Sequence, residues 1–268
     1  MIEKIKQKAI DAALEAGKIL KEGYGRSFKI GSKSGINDLV TEYDVRSENR
    51  IIEILSKEFP GCNFLCEESG KSKQTASPIR WIIDPLDGTV NFAHKMPIFS
   101  ISIAAELEGE IVCGVVYQPM LDELFVATKG EGTYFNGERV QVTDCNDIAR
   151  SYLVTGFPYN VGENPGNCIE VFVDIVQMGI PVRRLGSAAL DLAYVAGGRF
   201  DGFWEIDLNP WDVAAGILLV EEAGGKVSNF DRSPYKLGDR TILATNGLIH
   251  IKASELITSC SLERKRWK

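Results

Sequence analysis

Between residues 98 and 140 the apolar residues take up strand spacing, and that limits the folds open to this chain. The runs FSISIAAELEGEIVCGVVYQP, ELFVATKG and GTYFNGERVQV read as successive short strands. Gly109 marks a turn in the first run, and Asn136-Gly137 is a strong two-residue hairpin signal. Upstream, residues 2–22 and 43–58 read as helices. The first is amphipathic through Ile5, Ala9, Ala12, Ala16 and Ile19, and the second stops before Pro60-Gly61. Residues 63–67 and 79–83 read as short strands. Downstream, strand and helix alternate: a strand at 151–156, a helix at 164–178, a strand near 181–185 and a helix in SAALDLAYVAGG. Then come a strand in DGFWEI, a helix in PWDVAAGILLVEEAGG, strands near 226–229 and 241–245, and a last helix near 247–259. Residues 68–78 and 156–167 are expected to be loops. The mixture implies a layered α/β or α+β architecture. A chain of 268 residues can form one large domain or two intimate subdomains, here with a boundary near 145–150.

The segment WIIDPLDGTVNF, 81–92, carries the strongest chemical signal. Ile82 and Ile83 suit a buried strand, which is expected to end at Asp84 because Pro85 lacks an N–H for the ladder. Asp87-Gly88 is turn chemistry, and Thr89 opens a short helix whose N–H groups favour an anion. Three other stretches also set acids where an apolar element begins or ends. They are NFLCEESG with Glu67 and Glu68, NPWDVAAG with Asp212, and DLVTEYD with Asp38, Thr41 and Asp44. Helix capping alone accounts for Asp212 after Asn209-Pro210 and for Asp44 after Thr41. If the acids instead converge, each bare pair costs roughly 4 kcal/mol at an effective dielectric near 20, so the cluster requires cations. All-oxygen ligands select Mg²⁺, Mn²⁺ or Ca²⁺ over zinc or copper.

Composition narrows the alternatives. With only His94 and His250 present, histidine-rich zinc sites and serine–histidine triads are poorly supported. Six scattered cysteines offer no second pair to match Cys62 and Cys66 for zinc, and they fit reduced thiols in the cytoplasm. A net charge of −7 argues against general nucleic-acid binding, and an anionic substrate then needs a local positive source. No apolar run approaches the ~20 residues of a membrane span, and no signal peptide is evident.

The ordered set EES, WIIDPLDGTVNF, WDVAAG and EAGG, with DLVTEYD, GVVYQP, FNGERV and LGSAALDLAYVA, resembles the inositol monophosphatase family over nearly the whole chain. Cys66 stands where many members have glycine before the Glu-Glu pair, a difference expected to affect local packing only. The resemblance implies a layered αβαβα sandwich with subdomains at 1–147 and 148–268, commonly a homodimer. It implies a Mg²⁺-dependent, lithium-sensitive phosphomonoesterase. Glu67, Asp84 and the Leu86 carbonyl would hold one ion, and Asp84, Asp87 and Asp212 the second. A weaker third ion would sit near Glu67 and, through water, Asp44. Thr89 and Asp44 would orient or deprotonate the attacking water, with Glu67 also catalytic, while the Gly88 and Thr89 N–H groups cradle the phosphate. Glu205 and the Ala188 backbone would bind the alcohol, with Asp191 one helical turn further on. Arg184, beside Arg183, would meet a second substrate anion, contact a partner subunit or remain solvated. Inositol monophosphate is the first substrate expectation, with histidinol phosphate and fructose 1,6-bisphosphate as alternatives. In a further branch the family resemblance implies binding to RNA and the transcription machinery, for which the basic tail LERKRWK is a weak hint.

Overall fold

The N-terminal apolar stripe forms helix α1 (Ile2–Gly23), with Ile5, Ala9, Ala12, Ala16 and Leu20 buried along one side. The remaining helices are α2 (Glu42–Glu58), α3 (Thr89–Ala93), α4 (Cys168–Gln177), α5 (Ala188–Ala196), α6 (Pro210–Glu222) and α7 (His250–Glu263). The computed structural model describes residues 1–27, 30–32, 39–72 and 74–263.

An eight-stranded sheet runs in the order Glu138–Val140, Gly132–Phe135, Glu123–Thr128, Glu110–Gln118, Ser100–Leu107, Ile79–Asp87, Asn63–Cys66 and Gly70–Lys71. It is antiparallel except where Asn63–Cys66 lies parallel to Ile79–Asp87. The hairpins follow the turn residues: Glu108-Gly109 and Asn136-Gly137 all adopt positive φ, the backbone a tight two-residue reversal needs. A five-stranded sheet has the order Val182–Arg183, Leu153–Thr155, Gly202–Ile206, Thr241–Thr245 and Lys226–Ser228. The first three strands are parallel and the last two antiparallel to their neighbours. The change of sheet falls between Val140 and Leu153.

The layers stack as α1 and α2, the eight-stranded sheet, α5 and α6, the five-stranded sheet, then α4 and α7. Each interface has its own apolar core. Trp81, Ile83 and Ile103 face α1 and α2; Ile82, Ala104 and Val116 face α5 and α6; Leu153, Trp204 and Leu243 face α4 and α7. Burying one such large side chain contributes about 1.5–3 kcal/mol. Gly114 lets α6 approach the middle of the sheet, since a Cβ there would lie 2.7 Å from the Ala215 carbonyl oxygen. Nearly continuous burial of α5 follows from its position between two sheets. Among the described residues no helix is long and apolar enough to cross a membrane.

Two expectations need correction. The strand 79–83 continues through Asp87, with Asp84 opposite Ser102 and Asp87 opposite Ser100. Pro85 does not end it, because the ladder shifts register between the two acids and the missing N–H falls in that irregularity. The stretch before α2 holds an antiparallel ribbon, Ile30–Ser32 with Leu39–Thr41, and Gly70–Lys71 pairs within the expected loop at 68–78.

Candidate active site

A cleft of about 570 Å³ opens where the acid-bearing strand of the large sheet meets the starts of α5 and α6 and strand Gly202–Ile206. Its ligand-bearing end is built from local hydrogen bonds. Asp84 Oδ1 accepts from the Leu86 N–H at 3.0 Å, and Ser47 on α2 donates to the Pro85 carbonyl at 2.8 Å, which pins the register shift. The Glu67 N–H donates to the Ile83 carbonyl at 3.2 Å, setting that residue beside Asp84. Buried Glu48 accepts the Glu68 and Ser69 amides, both at 2.9 Å, and so holds the turn that follows Glu67. Asp212 lies in the first turn of α6, where the Asn209 N–H donates to its Oδ2 at 2.7 Å. Asp87 reaches across to the start of α5 and accepts from Ser187 Oγ at 2.8 Å and the Ala189 N–H at 2.7 Å through Oδ2. Gly88 turns the chain with φ at 99°, and a Cβ there would lie 3.1 Å from the carbonyl oxygens of Gly186 and Ile98.

The electrostatics are unfavourable as they stand. Seven acids line the cleft (Glu67, Asp84, Asp87, Asp191, Glu205, Asp207 and Asp212), against one base among the described residues, Arg184. Burial, then the charges of Glu67, Asp87 and Asp212, push the Asp84 carboxyl well above its usual range. Asp212 is raised in the same way, by burial and by Asp87 and Glu67. Asp87 is pushed up to about 7 by burial, although Ser187 and Ala189 stabilise its charge. No group of three such side chains among the described residues is already closed around an ion position, as expected of like charges with nothing between them. The donors are all oxygens, and the strongest charges acting on Asp84 are all negative, so the residues fit hard divalent cations.

Beside these acids, Thr89 Oγ1 lies 2.9 Å from Asp44 Oδ1 and 3.0 Å from the Leu86 carbonyl oxygen. Asp44 is fully buried, and its Oδ2 accepts the Thr41 N–H at 2.8 Å. Burial raises its carboxyl, against the lowering effect of hydrogen bonds from Thr41 and Thr89. At the other end of the cleft are Ala188, Asp191 and Glu205, with the exposed Arg184 at the rim. Gly156 makes room for Glu205, since a Cβ there would come within 2.2 Å of its Oε2. The loop that follows Gly156 is anchored by Phe157, edge-on to Phe172 of α4 at 5.4 Å between centroids.

Every expected site residue except Asp44 lines this one cleft, and Asp44 stands directly behind Thr89. Asp38 and residues 264–268 of the basic tail lie outside the described residues. His94 is exposed, whereas His250 is buried far from the cleft lining, between Ser228 and Thr245. Burial pushes the Cys66 thiol up to about 12, consistent with a packing role. Sequence reasoning missed Ser187 and Asn91. Ser187 before an apolar helix was a readable cap signal. Asn91 Nδ2 donates to the Ile98 carbonyl at 2.7 Å and the Leu185 carbonyl at 2.8 Å, and no local spacing announces that.

Two sheets around paired helices, with an oxygen-lined cleft at their junction, put the chain in the class of layered αβαβα sandwiches. The model of the inositol monophosphatase family matches residues 1–262. A Synechocystis inositol-1-monophosphatase is 43% identical over 251 residues, covering 94% of this chain and 88% of that protein. The Nus factor SuhB of Escherichia coli is 44% identical over 223 residues, 83% of this chain and 84% of its own. The crystal structure of extragenic suppressor protein suhB from Bartonella henselae superposes with a TM-score of 0.90 at 39% identity, covering 95% of this chain and 98% of that one. The chain belongs to the inositol monophosphatase family, a family of metal-dependent phosphatases.

Proposed function

We propose that the protein is a Mg²⁺-dependent phosphomonoesterase that hydrolyses myo-inositol monophosphate to inositol and phosphate. One observation carries the reading: Glu67, Asp84, Asp87 and Asp212 gather at one end of a cleft whose lining has seven acids and one base. Hard cations make that arrangement favourable. The relatives named inositol-1-monophosphatase support the choice of substrate.

Glu67, Asp84 and the Leu86 carbonyl would hold one ion, and Asp84, Asp87 and Asp212 a second, with a third site near Glu67 and Asp44. When bound, Mg²⁺ supplies Lewis acidity toward water and phosphoryl oxygens. The Gly88 and Thr89 N–H groups orient the phosphate. Thr89 Oγ1 can receive a proton from the attacking water as it passes its own to Asp44, whose burial raises its proton affinity. Attack on phosphorus breaks the bond to the alcohol oxygen, and no covalent enzyme intermediate is required. The Ala188 backbone and Glu205 position the alcohol. Residues 1–147 and 148–268 would act as two subdomains, and the same reading carries lithium inhibition, a homodimer and a cytoplasmic setting.

The test is phosphate release, with and without Mg²⁺, across inositol, histidinol, sugar and nucleotide phosphates. We expect Mg²⁺-dependent turnover with inositol 1-phosphate preferred. Metal-independent release, or preference for histidinol phosphate, would overturn the assignment. A second reading, contact with RNA or the transcription machinery, is favoured by the Nus factor name of the Escherichia coli relative. RNA affinity without a steep salt dependence would reject it.

A further inference from the structure

Two buried hydroxyls stand on the strand next to the acids of the large sheet. Ser100 and Ser102, on strand Ser100–Leu107, are 0% and 1% exposed. A hydroxyl taken out of water is costly unless it is hydrogen-bonded, so the bonds these two make show what they are for. Their places in the ladder come first. Ser102 stands opposite Asp84, and Ser100 opposite Asp87. A step of three residues on the acid-bearing strand thus answers a step of two on its partner, and one extra residue lies in the register shift. In an unbroken strand, side chains three positions apart point to opposite faces. The extra residue cancels that reversal, and residues opposite each other in an antiparallel pair share a face. Both acids therefore stand on the face that Ser100 and Ser102 mark, the face that Ala104 continues into the core with α5 and α6.

On that face each serine holds the start of one helix. Ser102 Oγ donates to the Trp211 carbonyl at 3.1 Å, in the first turn of α6 and next to Asp212. Ser100 Oγ lies 3.1 Å from the Oγ of Ser187, the residue that precedes α5. A hydroxyl has one proton to give. Ser187 gives its own to Asp87 Oδ2 at 2.8 Å, so in the serine pair Ser100 donates and Ser187 accepts. The chain from Ser100 through Ser187 to Asp87 runs in one direction, and each bond polarises the next. Neither Ser100 nor Ser102 lines the cleft.

We propose that Ser100 and Ser102 are positioning residues, a hydroxyl clamp that seats the first turns of α5 and α6 on the large sheet and so aligns Asp87 and Asp212 with Asp84 around a shared cation. This rests on the metal-dependent reading above and deepens it. Each serine acts through the atom it binds. Ser100 works through the Ser187 hydroxyl that aims Asp87, and Ser102 through the stretch of backbone that carries Asp212.

The experiment measures Mg²⁺ binding by titration calorimetry, without substrate, beside urea unfolding of the metal-free proteins. It compares wild type with Ser100→Ala, Ser102→Ala, Ser187→Ala and the double variant Ser100→Ala/Ser187→Ala. We expect Ser100→Ala and Ser102→Ala each to weaken Mg²⁺ binding about 10-fold, the size of effect seen when the partner of a metal ligand is lost. The double variant should bind no more weakly than Ser187→Ala alone, because both changes cut one chain. Ser102→Thr, which keeps the hydroxyl, should bind Mg²⁺ more tightly than Ser102→Val, which has the same shape without it. Unchanged Mg²⁺ affinity in either single alanine variant would overturn the clamp, even with a lowered urea midpoint, since that pattern belongs to packing alone. Full additivity of the Ser100 and Ser187 losses, or equal affinity in the Thr and Val pair, would overturn it too. Phosphate release by wild type is scored separately. If wild type binds Mg²⁺ and releases phosphate while the variants bind as tightly, the clamp alone fails. If wild type binds no Mg²⁺, the metal-dependent reading fails and the clamp falls with it.

Discussion

Helices α2 and α6 begin with the same device, a polar cap followed three residues later by aspartate: Thr41 with Asp44, Asn209 with Asp212. The outcomes differ. Asp44 is sealed, with Oδ2 held by Thr41 and Oδ1 by the Thr89 hydroxyl. Asp212 is held at Oδ2 by the Asn209 amide, lines the cleft and remains partly exposed among other acids. One cap pattern therefore yields a closed carboxylate suited to receiving a proton and an open one suited to a cation. What separates them is the neighbour each meets across the fold, Thr89 for one and Asp84, Asp87 and Glu67 for the other.

The largest expected effect is at the open cap. Asp212→Asn keeps an acceptor for Asn209 but removes a charge, so Mg²⁺-dependent phosphate release should fall by about three orders of magnitude or more. The metal-free variant should unfold at the same temperature as wild type or higher, because one repulsive carboxylate is gone. At the closed cap, Asp44→Asn should lower kcat by about 100-fold or more and also cost roughly 1–2 kcal/mol in urea denaturation, with or without metal. If Asp44→Asn proved stable and Asp212→Asn unstable, the contrast would be reversed.

Mg²⁺ itself sharpens the comparison through thermal unfolding. At about 100 times its dissociation constant it should stabilise wild type by about 2.7 kcal/mol; Asp44→Asn should keep most of this gain and Asp212→Asn little. The metal-free protein should also show a pH slope. The Asp87 carboxyl is raised from 3.8 to about 7, so the folded state retains a proton that the unfolded state has lost, and stability falls as pH rises through that window. Added Mg²⁺ should flatten the slope.

The smallest effect belongs to a third helix start, that of α7, away from the cleft. His250 is fully buried, its ring nitrogens each 2.9 Å from a hydroxyl oxygen, of Ser228 and Thr245, and burial lowers its pKa to about 4. The unfolded chain then takes up the proton first, so stability is lost as pH falls from about 6.5 toward 4. His250→Gln should lower stability at pH 7 and reduce that acid slope in urea titrations.

How much of this could be read from the residues depends on the range of the interaction. The stripe of α1 and the Asn136-Gly137 reversal are local, and both appear as expected. The strand through Asp87 runs four residues beyond the expected 79–83, because a proline that breaks a regular ladder is tolerated where the ladder slips. The ribbon before α2 has three-residue strands, too short to show a period. Capping explained Asp44 and Asp212 one at a time, and their place in a common site was legible only through resemblance to a family. Gly156 under Glu205, Asn91 on Leu185 and Ser187 on Asp87 join residues 49, 94 and 100 positions apart, beyond the reach of spacing.

The bond from Ser187 to Asp87 has a mechanical consequence. An acid rooted in the large sheet is aimed by the opening turn of a helix wedged between that sheet and the small one. Any slippage between helix and sheet reorients that carboxylate directly, so how finely the acids of the cleft stay aligned is set by how tightly the sandwich is stacked.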